Sequence, residues 1–149
     1  MKTNLNRIAA QCFSTLRGTI ENCSDESWKS GPTDYLIPCR LTFHLLQATE
    51  AALGAEPDAY DWEQYGFNWE TSPAASMWDR NEMLSYLDKV AEMLRDYVER
   101  DDPYADDEQP MYFINRADRP MKALRHIAQH TGEIHAIQKL HAEKVGNFI

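Results

Sequence analysis

The sequence predicts an all-α fold, an antiparallel four-helix bundle, on three observations. Four segments carry apolar residues at i, i+3 and i+4 spacing, the signature of a helix with one buried face. No stretch between them alternates apolar and polar residues as a half-buried strand would. A chain of 149 residues also suffices for one domain with its own hydrophobic core. That domain is expected to span residues 1–149, with long connections between the second and third helices and between the third and fourth.

The first helix is placed at about Asn4 to Cys23, where Leu5, Ile8, Ala9, Cys12, Phe13, Leu16 and Ile20 mark a single stripe. The breakers in "SDESWKSGPTDYLIP" end it. Pro38 suits the first turn of a second helix, and Gly54 is a plausible stop. Its inward face reads as Leu41, Leu45, Ala48 and Ala52.

From Ala55 to Met77 the periodicity fails. A connection this long is usually either functional or disordered, and the aromatic residues of the 60–78 stretch argue for order. Trp62, Tyr65, Phe67 and Trp69 are read as a cap on the core, the alternative being a lid that shapes a substrate pocket.

Asp79 followed by Glu82 forms an Asp version of the capping box, in which two side chains satisfy two helix-end donors. The third helix follows, at about Asn81 to Arg100. A second connection carries an acidic run between Glu99 and Glu108, read as solvated surface. Pro120 opens the last helix, Met121 to Val145, and Gly146 is its stop signal.

Composition narrows the function. A net charge of −9 opposes binding to a phosphate backbone, whose affinity comes mostly from Lys and Arg, so no nucleic-acid partner is expected. No apolar run is long enough to span a bilayer, so no membrane association is expected either. The first residues lack the apolar core of a secretory signal, and the three cysteines Cys12, Cys23 and Cys39 contain no CxxC pair. Both features point to a cytoplasmic protein with reduced thiols.

The histidines carry the chemical signal. Four of the five lie in "RHIAQHTGEIHAIQKLH", residues 125–141. With about 100° of turn per residue, His130 falls about 40° from His126, among Ile127, Ile134 and Ile137 on the apolar stripe. His135 falls about 180° away, and His141 stands about 16 Å beyond His130 along the axis, so both drop out of the set. His126 and His130 are one helical turn apart, which lets two imidazoles converge on one ion. HxxxH alone is a weak signal, since two histidines at a core edge bonded to carbonyls or water would look the same.

The remaining histidine, His44, also points inward, sharing its face with Ile37, Leu41 and Ala48. Three buried imidazoles need partners for their ring nitrogens, and a shared metal ion would take one nitrogen from each. Neutral imidazoles suit Zn, Ni, Co or Fe(II) better than Mg or Ca. Cys39 lies about 220° around the helix from His44 and is not expected to be a ligand.

A helical bundle with one His in the second helix, "LTFHLLQATE", and HxxxH opening the last, "LRHIAQHTGEIHAI", resembles the DinB-like (YfiT-like) metalloprotein superfamily. The resemblance extends over nearly the whole chain. It implies a four-helix bundle, a three-His site at His44, His126 and His130 for a divalent metal such as Zn or Ni, and often a homodimer. Where members commonly carry Gln after the Gly, this chain has Glu133. That carboxylate is read as a solvated side chain on the helix flank or, alternatively, as a group beside the site that supports a ligand or accepts a proton.

Three protein ligands with open positions belong to a catalytic metal. The resemblance implies a metal-dependent enzyme acting on a small molecule, of the thiol-dependent S-transferase or isomerase type, with a low-molecular-weight thiol as co-substrate. The alternatives are a hydrolase using metal-bound water, with Glu133, Glu50 or an acid of the long connection as base, and a dimeric metal-binding protein without turnover. HExxH is absent, which argues against a zincin-type peptidase, and the ExxH motifs of a di-iron carboxylate bundle are absent too.

Overall fold

The structure is a computed structural model and describes residues 2–54, 57–100 and 118–141. Among these residues it is all-helical, with α1 at Lys2–Glu21, α2 at Asp25–Trp28, α3 at Pro38–Leu53, α4 at Arg80–Arg100 and α5 at Arg119–Leu140. The four long helices lie within a few residues of their expected positions. The short α2 was not expected. It forms inside the breaker-rich stretch because Ser24 caps it, its hydroxyl accepting from the Ser27 amide at 3.1 Å. The acidic run beyond Arg100, and Val145 and Gly146 at the end of the last helix, lie outside the described residues.

The capping box at the start of α4 forms as the spacing requires. Glu82 N–H donates to the Asp79 carboxylate, and the Asp79 N–H donates back to Glu82, each at 2.9 Å.

Helix α1 packs on α4 and α5, and α3 packs on the same two helices. Leu16 and Ile20 of α1, Leu41, Leu45 and Leu46 of α3, Met83, Leu87 and Leu94 of α4, and Ile127 and Ile134 of α5 fill the space between them. Lys2 donates to the Glu99 carbonyl, Arg17 pairs with Asp88, and Arg80 donates to the Cys23 carbonyl.

The amphipathic reading of α3 needs correction. Nearly every residue from Pro38 to Leu53 is buried, not one face of four. The cause is the connection at residues 57–78, which covers the side of α3 that would otherwise meet water. Arg40 donates to the carbonyls of Trp69 and Ser72, Gln47 donates to the Trp62 carbonyl, and Lys29 donates to those of Ala74, Met77 and Trp78. These bonds satisfy backbone acceptors that a non-helical segment would otherwise leave unpaired. Phe43 of α3 meets Tyr65, Phe67 and Trp78 in edge-on or tilted ring contacts.

Two glycines are required by geometry. Gly66 turns the connection at φ 81°, where a side chain would be strained. Gly31 lets the chain after α2 pass the Leu36 carbonyl, which would lie 1.7 Å from an added Cβ.

Candidate metal centre

The three inward histidines come together. His44 arrives from the middle of α3, and His126 and His130 from one turn of α5, the helix that packs directly on it. Each offers a ring nitrogen, and these three atoms all lie within 4.8 Å of one another. Among the described residues no other three His, Cys, Asp or Glu side chains meet in this way. Ring centroids are 4.9 Å apart for His44 and His126, 5.2 Å for His44 and His130, and 4.5 Å for the α5 pair.

Glu133 settles which nitrogen of His130 faces the site. Its carboxylate lies 2.6 Å from His130 Nδ1. An ionised carboxylate only accepts, so Nδ1 carries the proton and the lone pair of the neutral ring is on Nε2. That Nε2 stands 2.8 Å from Nε2 of His126. Two imidazole nitrogens bound to one ion at about 2.05 Å would be about 2.9 Å apart at a right angle and about 3.3 Å apart at a tetrahedral one. The α5 pair is therefore already spaced for ligation.

His44 supplies the second test of fit. Its Nδ1 is buried and has no hydrogen-bond partner among the described residues. Trp69 lies against the ring at a centroid distance of 3.9 Å and an interplanar angle of 34°, which fixes its plane. Burial, with the neighbouring His126 and His130 next in size, lowers the pKa of His44 to about 3. His126 is lowered to about 4, mainly by burial and then by His130, with Lys122 and Arg125 acting the same way against Glu133. Both rings are neutral at pH 7, as a metal ligand must be. The donor set fits a divalent transition-metal ion.

His44 and His126 also line a cavity of about 250 Å³. Trp62 forms part of its wall, with Lys122, Arg125 and Gln129 from α5. Among the described residues the wall holds no carboxylate. The aromatic connection thus divides its work: Tyr65, Phe67 and Trp69 pack on the core as expected of a cap, whereas Trp62 faces the cavity.

His135 stands outside the cluster, as its angle requires, and is nevertheless buried, being only 3% exposed. Its Nε2 lies 2.7 Å from the Thr19 hydroxyl, because α1 packs on the side of α5 opposite the one that carries His126 and His130. The exposed side of α5 is instead a narrower stripe through Arg125, Gly132 and Ala136, and the wheel of α5 alone could not reveal the second neighbour. His141 is outside the cluster, as its axial distance requires, and is exposed.

Glu50 does not serve the site. Its carboxylate accepts from Tyr60, Tyr65, Tyr86 and Lys89 at 2.5–2.9 Å. Burial would raise its pKa, but these four donors, Lys89 foremost, hold it below the usual carboxylate value. Cys39 is fully buried, its Sγ 3.9 Å from the Ala74 carbonyl, and burial raises its pKa, so it is neither a ligand nor a thiolate. The sequence reading missed Lys122, Arg125 and Gln129. The signal was present, since all three fall on one flank of the His126 stripe, but a cationic flank acquires meaning only when a wall faces it.

No helix among the described residues is long and apolar enough to cross a membrane. Compared with known proteins, the chain matches no family model, no curated protein and no solved structure.

Proposed function

We propose that the chain is a divalent-metal protein of the DinB-like kind, an enzyme that joins a low-molecular-weight thiol to, or isomerises with its help, a small electrophilic substrate. The observation that carries the proposal is the convergence of His44, His126 and His130 from two helices beside a cavity. A four-helix bundle belongs to the same reading. The contacts Lys2–Glu99 and Arg17–Asp88 support opposite directions for α1 and α4. His44 against His130, with Ala52 and Lys122 on one cavity, supports opposite directions for α3 and α5. Phe43–Trp78 and Glu50–Lys89 support a common direction for α3 and α4, so the antiparallel arrangement holds within these two pairs rather than between all neighbours.

His44, His126 and His130 would hold the ion, with Zn or Ni best suited to three neutral imidazoles. When bound there, the ion would supply Lewis acidity toward a thiol or an electrophile. The protein's own groups do the rest. Glu133 keeps the His130 proton at Nδ1, Trp69 fixes the plane of His44, and Trp62 covers a cavity that admits a small molecule only. Thiol chemistry is favoured over hydrolysis because no candidate base is at hand. Glu50 is occupied by four donors, Glu133 is bonded to a ligand, and the cavity wall offers no acid among the described residues.

Metal analysis of the protein purified without added metal is the test. Wild type is expected to hold about one equivalent per chain, and His44→Ala and His126→Ala to hold little. Equal content in all three would end the proposal. Turnover of an electrophile that requires both the thiol and the bound metal then identifies the reaction class, and metal without turnover favours a non-catalytic metal-binding role. The same proposal includes a homodimer, read by sedimentation.

A further inference from the structure

Cations are scarce in this chain, 15 Lys and Arg against 24 Asp and Glu. Two of them, Lys122 and Arg125, nevertheless stand on the wall of the cavity that His44 and His126 line. The local balance is thus the reverse of the global one: among the described residues this wall carries two cations and no anion. Gln129, one turn beyond Arg125 on α5, adds an amide to the same wall.

The facing wall is different. Ala48 and Ala52 of α3 present methyl groups, and Trp62 closes the side. Thr49 also lines the cavity, but its hydroxyl is engaged with the Leu45 carbonyl at 2.8 Å. Trp62 is 38% exposed, an unusual setting for so large an apolar ring, and the Gln47 bond to its carbonyl holds its backbone in place. At about 250 Å³ the space is just below the range of about 300–1,000 Å³ common for drug-sized ligands.

We propose that this cavity binds a small carboxylate with a compact aromatic or apolar body. The guanidinium of Arg125 is the principal anchor for the charged end, since its planar fork matches two carboxylate oxygens. Lys122 adds charge and Gln129 a hydrogen-bond donor. The body lies between Trp62 and the Ala48–Ala52 face, which brings its far end to the imidazoles of His44 and His126. The substrate assignment rests on the metal-enzyme reading, whereas anion binding itself does not need the metal.

The test is calorimetric titration of the protein as purified, at low ionic strength, with three probes of one shape: phenylacetate, phenylacetamide and phenyl phosphate. Phenylacetate is expected to bind at least about tenfold more tightly than the neutral amide, a preference weakened by added salt. Lys122→Gln with Arg125→Gln should abolish the preference, and Arg125→Lys should restore part of it. Both positions are outside the core, and helicity measured by circular dichroism confirms that the variants fold.

Equal binding of acid and amide, no binding of either, or a preference that survives the double substitution overturns the proposal. Tighter binding of phenyl phosphate overturns the carboxylate assignment. Metal content measured on the same samples separates the two readings. A carboxylate preference in protein that holds no metal upholds this site while the metal reading fails, and metal without a carboxylate preference does the opposite.

Discussion

His130 is held on one side by a carboxylate and faces the cluster with its other nitrogen, so a single residue on the rim decides the tautomer of that ring. Glu133→Gln preserves the shape but replaces the accepting oxygen with an amide that can also donate, and its hydrogen bond loses the charge. Such supporting contacts are commonly worth about 10- to 100-fold in metal affinity. We expect Glu133→Gln to weaken metal binding by about tenfold, measured by competition with a chelator, with stoichiometry unchanged. Unaltered affinity would reduce Glu133 to a solvated side chain on the helix flank.

The connection at residues 57–78 is an element in its own right, and Glu50 is the point to which it is tied. Tyr60 and Tyr65 from the connection and Tyr86 and Lys89 from α4 all donate to that one carboxylate, which is 6% exposed. Removing it leaves three phenols without their acceptor. Glu50→Ala should therefore cost about 2–4 kcal/mol in urea denaturation, discounted from a fully buried pair because Lys89 is half exposed. Limited proteolysis should find new cleavage within 57–78. A loss within 0.5 kcal/mol, about the range of ordinary surface substitutions, would mean the network is dispensable. Gly31→Ala tests the turn after α2, where the added methyl meets the Leu36 carbonyl; we expect a loss of about 1–3 kcal/mol by the same measurement.

For the whole molecule, the three-His cluster links stability to pH and, on the proposed reading, to metal. The folded protein lowers the pKa of His44 to about 3 and of His126 to about 4, mainly by burial, from an unfolded value of about 6.5. Below that value the unfolded chain binds protons that the folded chain refuses, so folding stability falls as pH drops from about 6.5 toward 4. The metal-free protein should show a Tm that is flat above pH 7 and declines below pH 6, and His44→Gln should make the decline shallower. An unchanged pH profile in that variant would show that other groups govern it. Metal at 100 times its Kd adds about 2.7 kcal/mol, which in a chain of this size is about 5–10 °C in Tm by calorimetry.

Much of this was legible in advance, for a physical reason. Helix periodicity is a local property, and the four long helices, the Asp79–Glu82 cap and the inward direction of His44, His126 and His130 all follow from spacing along one segment. What spacing cannot encode is which other surface covers a given face. Hence α3 reads as one-sided although the aromatic connection buries it, and the burial of His135 beneath α1 has no signal in the spacing of α5. Glu50 looks like a possible base until four donors from two other segments surround it. The sequence by itself determined the helices and the direction of the three histidines. Only the tertiary structure decided that they meet, that Glu133 orders one of them, and that Lys122 and Arg125 line the cavity they share, because each of these depends on distances between segments remote along the chain.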